Sequence, residues 1–218
     1  MPVSVRIDIV SDVMCPWCAI GYASLSRALQ AMAGQVEADI HWQPFELNPD
    51  MPGEGQNLRE HLQQKYGSSA EESKAVRERI TSMGEQLGVT FNFTDEQRIV
   101  NTFSAHQLLH WAGNSGLQTA LKMALFNAYF RDGLDVSRHD VLVDIARDVG
   151  LDAHQAHAVL ADQRYAAEVR NKEQQWQESG IRSVPAIILD QKYLLSGAQP
   201  PEAYVKALSE ILFIGDEE

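Results

Sequence analysis

The chain of 218 residues carries two cysteines, Cys15 and Cys18, and both lie in the stretch "SDVMCPWCAIGYASL", residues 11 to 25. A thiol attacks a disulfide only as its thiolate, and its pKa falls at a helix N-terminus or beside a cation. Pro16 suits the first position of a helix, because its φ is already helical and its missing N–H is not needed there. That places Cys15 at the N-cap, facing unpaired N–H groups, with Cys18 one turn further on and within reach of a short disulfide. The pattern predicts an attacking Cys15, acidified below the ordinary thiol value, and a resolving Cys18. Zinc is the poorer reading, since it takes about four ligands, no second Cys pair exists, and His106 and His110 of "HQLLH" fall far along the chain.

The elements that would position this pair can be read from the flanking periodicities. Val3, Val5, Ile7 and Ile9 alternate with polar residues, as in a strand. Leu25, Ala28, Leu29 and Met32 then share one helical face that Gly34 would end. Val36, Ala38, Ile40 and Trp42 alternate again, completing a β-α-β unit. From about residue 56 to 179 the period is helical, with apolar faces such as Val76, Ile80, Met83 and Leu87, or Ala105, Leu108, Leu109 and Ala112. Strand character returns in "PAIILD" and "KYLLS", and a last helix is expected from Pro201 to Leu212. The economical architecture is an α/β domain built from both ends of the chain, residues 1–50 and 179–218, with a helical domain inserted over 51–178.

Composition limits the class of function. With 44% hydrophobic residues the chain can bury a sizeable core. Thirty acidic and 18 basic side chains give a formal charge of −12, and no basic run is present. The electrostatic footprint of a nucleic-acid or anionic-membrane binder is therefore missing. No apolar stretch is long enough to span a bilayer, and the N-terminal residues read as folded strand rather than a secretory signal, so a cytoplasmic location is expected. In that reducing compartment a lone Cys pair is expected to be catalytic or metal-binding rather than a structural staple.

The segment "SDVMCPWCAIG" resembles the active site of the cytoplasmic, FrnE-like branch of the DsbA family, a thioredoxin fold with an inserted helical domain. "NTFSAHQLLHWA" (101–112) is similar to a helix motif of that family and of its glutathione-using relatives, and "GIRSVPAIILDQKYLLSGAQP" (180–200) resembles its second thioredoxin half. The resemblance implies a thiol-disulfide oxidoreductase or isomerase working through Cys15 and Cys18. It also implies that Pro185 is a cis-proline beside the Cys pair, with the Val184 backbone receiving extended substrate; sequence alone would leave Pro185 an ordinary trans proline opening a strand.

Pro16 and Trp17, between the cysteines, are expected to form surface at the substrate-binding site. Asp12 is a weaker candidate for moving protons to a thiol, while Asn101 and His106 are assigned to capping and packing. Protein or small-molecule disulfides and thiols are the expected partners, with glutathione as an optional co-substrate. No metal, and no cofactor other than the redox-active disulfide itself, is expected. Two other functions stay open: a glutathione-dependent isomerase or transferase of the kappa-class or 2-hydroxychromene-2-carboxylate isomerase type, and a redox-switched peptide-binding module.

Overall fold

A computed structural model describes residues 2–215, the last three by backbone alone. The first alternating run forms β1 (Val3–Ser11). Val5, Ile7 and Ile9 are buried on one of its faces and Asp8 and Val10 on the other, because β1 is an interior strand. Helix α1 (Pro16–Ala31) leads to β2 (Val36–Pro44), which lies parallel to β1 with Val3 opposite Val36 and Ser11 opposite Pro44.

The helical run follows: β3 (Gln56–Asn57), α2 (Leu58–Tyr66), α3 (Ala70–Leu87), β4 (Arg98–Ile99), α4 (Phe103–Ala112), α5 (Gln118–Phe126), α6 (His139–Asp148), α7 (Ala153–Asp162) and α8 (Ala166–Glu178). The short strands β3 and β4 pair as an antiparallel ribbon within it. The chain then returns to the sheet through β5 (Ala186–Leu189) and β6 (Tyr193–Ser196), and ends in α9 (Pro201–Gly215). Strand order is β2-β1-β5-β6, with β5 antiparallel to β1 and Ile9 opposite Ile187. This β-α-β followed by β-β-α is the order expected of the fold.

One apolar core runs through both parts. Ile7, Ile9, Leu25 and Ala28 of the sheet and α1 belong to the same cluster as Leu108, Leu121 and Leu125 of the helical run and Tyr204 and Leu208 of α9. The predicted face of α4 is buried, Ala105 through Ala112. That of α3 is buried in part: Ile80 is buried and Met83 and Leu87 pack half-buried against the core, but Val76 is 49% exposed, and Ser73 and Gly84 also face inward. Gly84 is there for contact: a Cβ on it would come within 2.5 Å of the Phe91 ring.

Helix α5 is tied to β2 by one side chain. Gln118 accepts a hydrogen bond from the Trp42 N–H at 2.9 Å and donates to the Trp42 carbonyl at 3.1 Å, satisfying a backbone position as a neighbouring strand would. Thr119 accepts from the Trp42 indole N–H at 3.0 Å. One turn beyond Gln118, on the face that includes buried Leu121 and Leu125, lies Lys122.

Candidate active site

The residues that end β1 and begin α1 carry the site. Cys15 is the N-cap of α1 with Pro16 at the first helical position, as the sequence predicts, and its carbonyl accepts from the Cys18 N–H at 3.0 Å. Both cysteines are free thiols. Cys18 is fully buried and Cys15 nearly so, at 3% exposure, while Pro16 and Trp17 beside them are half-buried. The Cys15 thiol donates to the carbonyl oxygen of Val184 at 3.7 Å. The Val184–Pro185 peptide bond is cis, and the Pro185 carbonyl accepts from the Gly197 N–H at 2.8 Å, which fixes the turn against β6. Cys15, Cys18, Val184 and Pro185, which span most of the sequence, are thus brought to one end of the sheet. Pro185 also touches α1, its Cγ lying 3.1 Å from where a Cβ on Gly21 would stand.

The electrostatics correct the simplest expectation for Cys15. The neighbouring Cys18 thiol, together with burial, pushes Cys15 well above the ordinary thiol value. Only the Cys18 N–H at the helix N-terminus pulls Cys15 down. Burial works against Cys18 too, but the Cys15 thiol, the Lys122 ammonium and Ser11 overcome it and hold Cys18 below the ordinary value. Two thiols in contact lose one proton as a unit. The reduced pair therefore carries a single negative charge, shared between the two sulfurs.

Asp12, whose backbone carbonyl accepts from the Cys15 N–H at 3.2 Å, is fully buried. Its carboxylate accepts from the Leu47 N–H at 2.7 Å and the Met14 N–H at 3.4 Å, and lies 3.6 Å from His106 Nε2. Burial would raise it, but the His106 imidazole and the Leu47 N–H outweigh that and keep it below the carboxylate range. Its charge in turn raises Cys15. His106 is buried at 2% exposure, in keeping with its assignment to packing, and Asn101 caps α4 by accepting from the Phe103 N–H at 2.9 Å.

Sequence reasoning did not single out Lys122. It is 1% exposed, with its Nζ 5.2 Å from the Trp42 ring centre and 5.0 Å from that of Phe126. Burial drops it to about 8, against the pull of Cys18, Asp12 and Cys15. The signal was present: Leu121, Lys122 and Leu125 share one helical face, so a lysine interrupts an otherwise apolar stripe. A second buried group, Glu46 and Glu173 with Arg170 between them, was likewise not anticipated.

The model of the DSBA-like thioredoxin domain matches residues 6–209. The chain belongs to that family. A crystal structure described as a probable DsbA oxidoreductase, SCO1869 from Streptomyces coelicolor, superposes with a TM-score of 0.89 at 35% identity, covering 94% of this chain and 89% of that one. Two more distant solved structures share the fold. A 2-hydroxychromene-2-carboxylate isomerase gives a TM-score of 0.72 at 13% identity over 97% of this chain and 98% of its own. The cytosolic disulfide reductase DsbM from Pseudomonas aeruginosa, solved with GSH, gives 0.64 at 16% over 95% and 98%. Among the described residues of this DsbA-family chain, no helix is long and apolar enough to cross a membrane.

Proposed function

We propose that the chain catalyses thiol-disulfide exchange through Cys15 and Cys18. The observation that carries this reading is a pair of free thiols one turn apart at a helix start, the outer one on the Val184 carbonyl beside Pro185. In the reducing direction the Cys15 thiolate attacks one sulfur of a substrate disulfide. The substrate S–S bond breaks, its other sulfur leaves with the electron pair, and a mixed disulfide forms on Cys15. Cys18 then attacks Cys15 Sγ, closing the internal disulfide and releasing the second substrate thiol, so two electrons pass from the pair to the substrate. Pro16, Trp17, Val184 and Pro185 form the surface that receives an extended segment of substrate.

Reduction or isomerisation is the direction favoured, because a stabilised thiolate keeps the pair reduced against a glutathione pool. The GSH-bound reductase of the same fold supports glutathione as co-substrate and, being cytosolic, a cytoplasmic setting. The isomerase neighbour shows that this fold also hosts a different reaction. The second thiol, one turn on from the first with its N–H on the Cys15 carbonyl, favours the dithiol reaction.

The test is the Cys18→Ser variant challenged with a protein disulfide. Accumulation of a mixed disulfide on Cys15, found by mass spectrometry, supports the dithiol route. Full turnover with glutathione in that variant would instead assign the chain to the transferases. Inactivity of both, with peptide binding that follows the redox state of the pair, would assign it as a binding module.

A further inference from the structure

The two segments that meet at Cys15, residues 13–26 and 179–189, carry a single charged side chain between them, that of Arg182. The chain as a whole has 30 acidic against 18 basic residues, so a lone cation here runs against its overall charge. Covalent geometry places it. Arg182 stands two residues before Val184, whose carbonyl oxygen lies 3.7 Å from Cys15 Sγ, and Cα atoms two residues apart are separated by no more than about 7 Å. Ile181 anchors the segment: it is buried with Val10 and Ala186, and its N–H donates to the Trp176 carbonyl at 3.0 Å. Arg182 and Ser183 stay exposed. The acidic side chains that flank them along the chain are engaged elsewhere, for Glu178 accepts from Gln174 Nε2 at 2.7 Å and Asp190 pairs with Lys192 at 3.1 Å. No ion pair neutralises Arg182 among the described residues, whereas Arg170 on α8 is held by Glu46 and Glu173.

We propose that Arg182 makes the site selective for anionic disulfides, those that carry a carboxylate close to the reacting sulfur. This rests on the exchange reaction proposed above and adds a preference among its substrates. An extended segment paired with the Val184 backbone runs alongside Arg182. A guanidinium stays charged throughout the working pH range and takes a carboxylate through two parallel hydrogen bonds. A lysine or arginine of the substrate at the same place is repelled. The reacting thiolate and the buried Asp12 carboxylate would by themselves disfavour an anionic disulfide, and Arg182 offsets that repulsion where the substrate arrives. Pro16, Trp17, Val184 and Pro185 are uncharged, so none of them competes in setting the sign. The bonds made and broken are those of the exchange already given. Arg182 acts on the approach of the disulfide and on the mixed disulfide that follows, and it moves no proton.

Three small alkyl disulfides of similar size serve as probes: dithiodipropionate, which is dianionic, bis(2-hydroxyethyl) disulfide, which is neutral, and cystamine, which is dicationic. Each is mixed with the reduced protein at low ionic strength, and mixed-disulfide formation on Cys15 is followed by acid quench and mass spectrometry. Dividing each variant rate by the native rate for the same probe cancels the probe's intrinsic reactivity. Arg182→Gln should slow the dianion about threefold, speed the dication by a similar factor and leave the neutral probe unchanged, as expected for one unit charge acting through water over a few ångströms. Arg182→Glu shifts the charge twice as far, so about tenfold is expected in each direction. Arg182→Lys keeps the charge and should stay near the native ratios. Added salt should shrink the differences between variants. Dianion and dication ratios that move together, or do not move, overturn the assignment. If Arg182→Gln and Arg182→Glu do not fold, Ser183→Glu sets a carboxylate beside the intact Arg182 and should give the signs of Arg182→Gln; equal ratios for the three probes there reject the role. If the native protein forms no mixed disulfide on Cys15 with any probe, the exchange reading itself fails and takes this preference with it.

Discussion

The Cys15 sulfur stands 3.7 Å from the carbonyl oxygen of Val184, a contact closed across 169 residues of chain. It exists because two separate segments meet at the end of the sheet: α1 starts where β1 stops, and the Val184–Pro185 turn precedes β5, which pairs with β1. Gly21 sets how closely they meet, since a Cβ there would approach Pro185 Cγ to 3.1 Å. Gly21→Ala should gain roughly 1 kcal/mol of helix propensity and lose about as much or more to crowding. Its Tm should therefore change by only a few degrees, while exchange with protein disulfides slows several-fold as Pro185 is displaced from Cys15. An unchanged exchange rate with a raised Tm would show that the Val184–Pro185 turn does not have to sit this close for catalysis.

The coupling between the thiols gives a second expectation, of opposite sign for the two single replacements. Cys15 is raised chiefly by the neighbouring Cys18 thiol, so Cys18→Ser should lower the Cys15 pKa and let the helix N-terminus act on it. Cys18 is held down chiefly by Cys15 and Lys122, so Cys15→Ser should raise the Cys18 pKa. Alkylation rate against pH measures both. If the two single thiols titrate together at the same midpoint, the coupling between them does not govern the pair.

How much of this was legible in the sequence follows from what each signal depends on. The Cys15–Pro16 helix start, the β-α-β order and the hairpin after Pro185 are local, and period and proline chemistry report them directly. The N-cap argument for Cys15 sees the helix end but not the second thiol and the burial that raise it. Lys122 was missed for a related reason. Its meaning comes from Gln118 clamping α5 onto Trp42, a contact across 76 residues that no local pattern encodes. Val76 fell on the wrong side of α3 because that helix turns Ser73, Ile80 and Gly84 toward the core.

Asp12 joins the turn before Cys15 to the loop after β2 through the Leu47 N–H. Asp12→Asn keeps the volume but removes a buried acceptor charge and puts an amide donor near two N–H groups. The loss should be about 1–3 kcal/mol of stability, the cost of leaving buried donors poorly paired. Because the Asp12 charge raises Cys15, its removal should also make Cys15 more acidic, seen as faster alkylation at pH 7. Slower alkylation with full stability would reverse the role given to this carboxylate.

On the sheet, burial raises Asp8, but hydrogen bonds from the Arg6 guanidinium at 2.8 Å and from Gln43 at 2.6 Å outweigh it and leave the carboxyl below its ordinary value. A carboxyl lowered in the folded state stabilises at neutral pH and loses that contribution as pH falls through the folded value. Asp8→Asn should therefore narrow its gap to the native protein on acidification. A gap that widens between pH 6 and pH 3 would contradict the assignment.

Glu46 and Glu173 should behave in the opposite sense. Both are buried around one guanidinium, that of Arg170, which stacks 3.8 Å from the Phe103 ring centre. One oxygen of each carboxyl has no hydrogen-bond partner. Burial raises both, mutual repulsion adds to the rise at Glu46, and Arg170 offsets it only in part. A carboxyl raised in the folded state binds its proton more tightly there than in the unfolded chain. Its contribution is present at low pH and is lost as pH climbs from the ordinary carboxylate value through the folded one. Glu46→Gln replaces one member of the pair by a neutral group of the same shape, so it should match or exceed the native Tm at pH 8 and lose that advantage near pH 5. Thermal melts of the two proteins across this range read the sign directly. If Glu46→Gln costs more stability at pH 8 than at pH 5, Arg170 is holding the ionised carboxylate after all, and the three groups form an ordinary ion pair with a spectator glutamate.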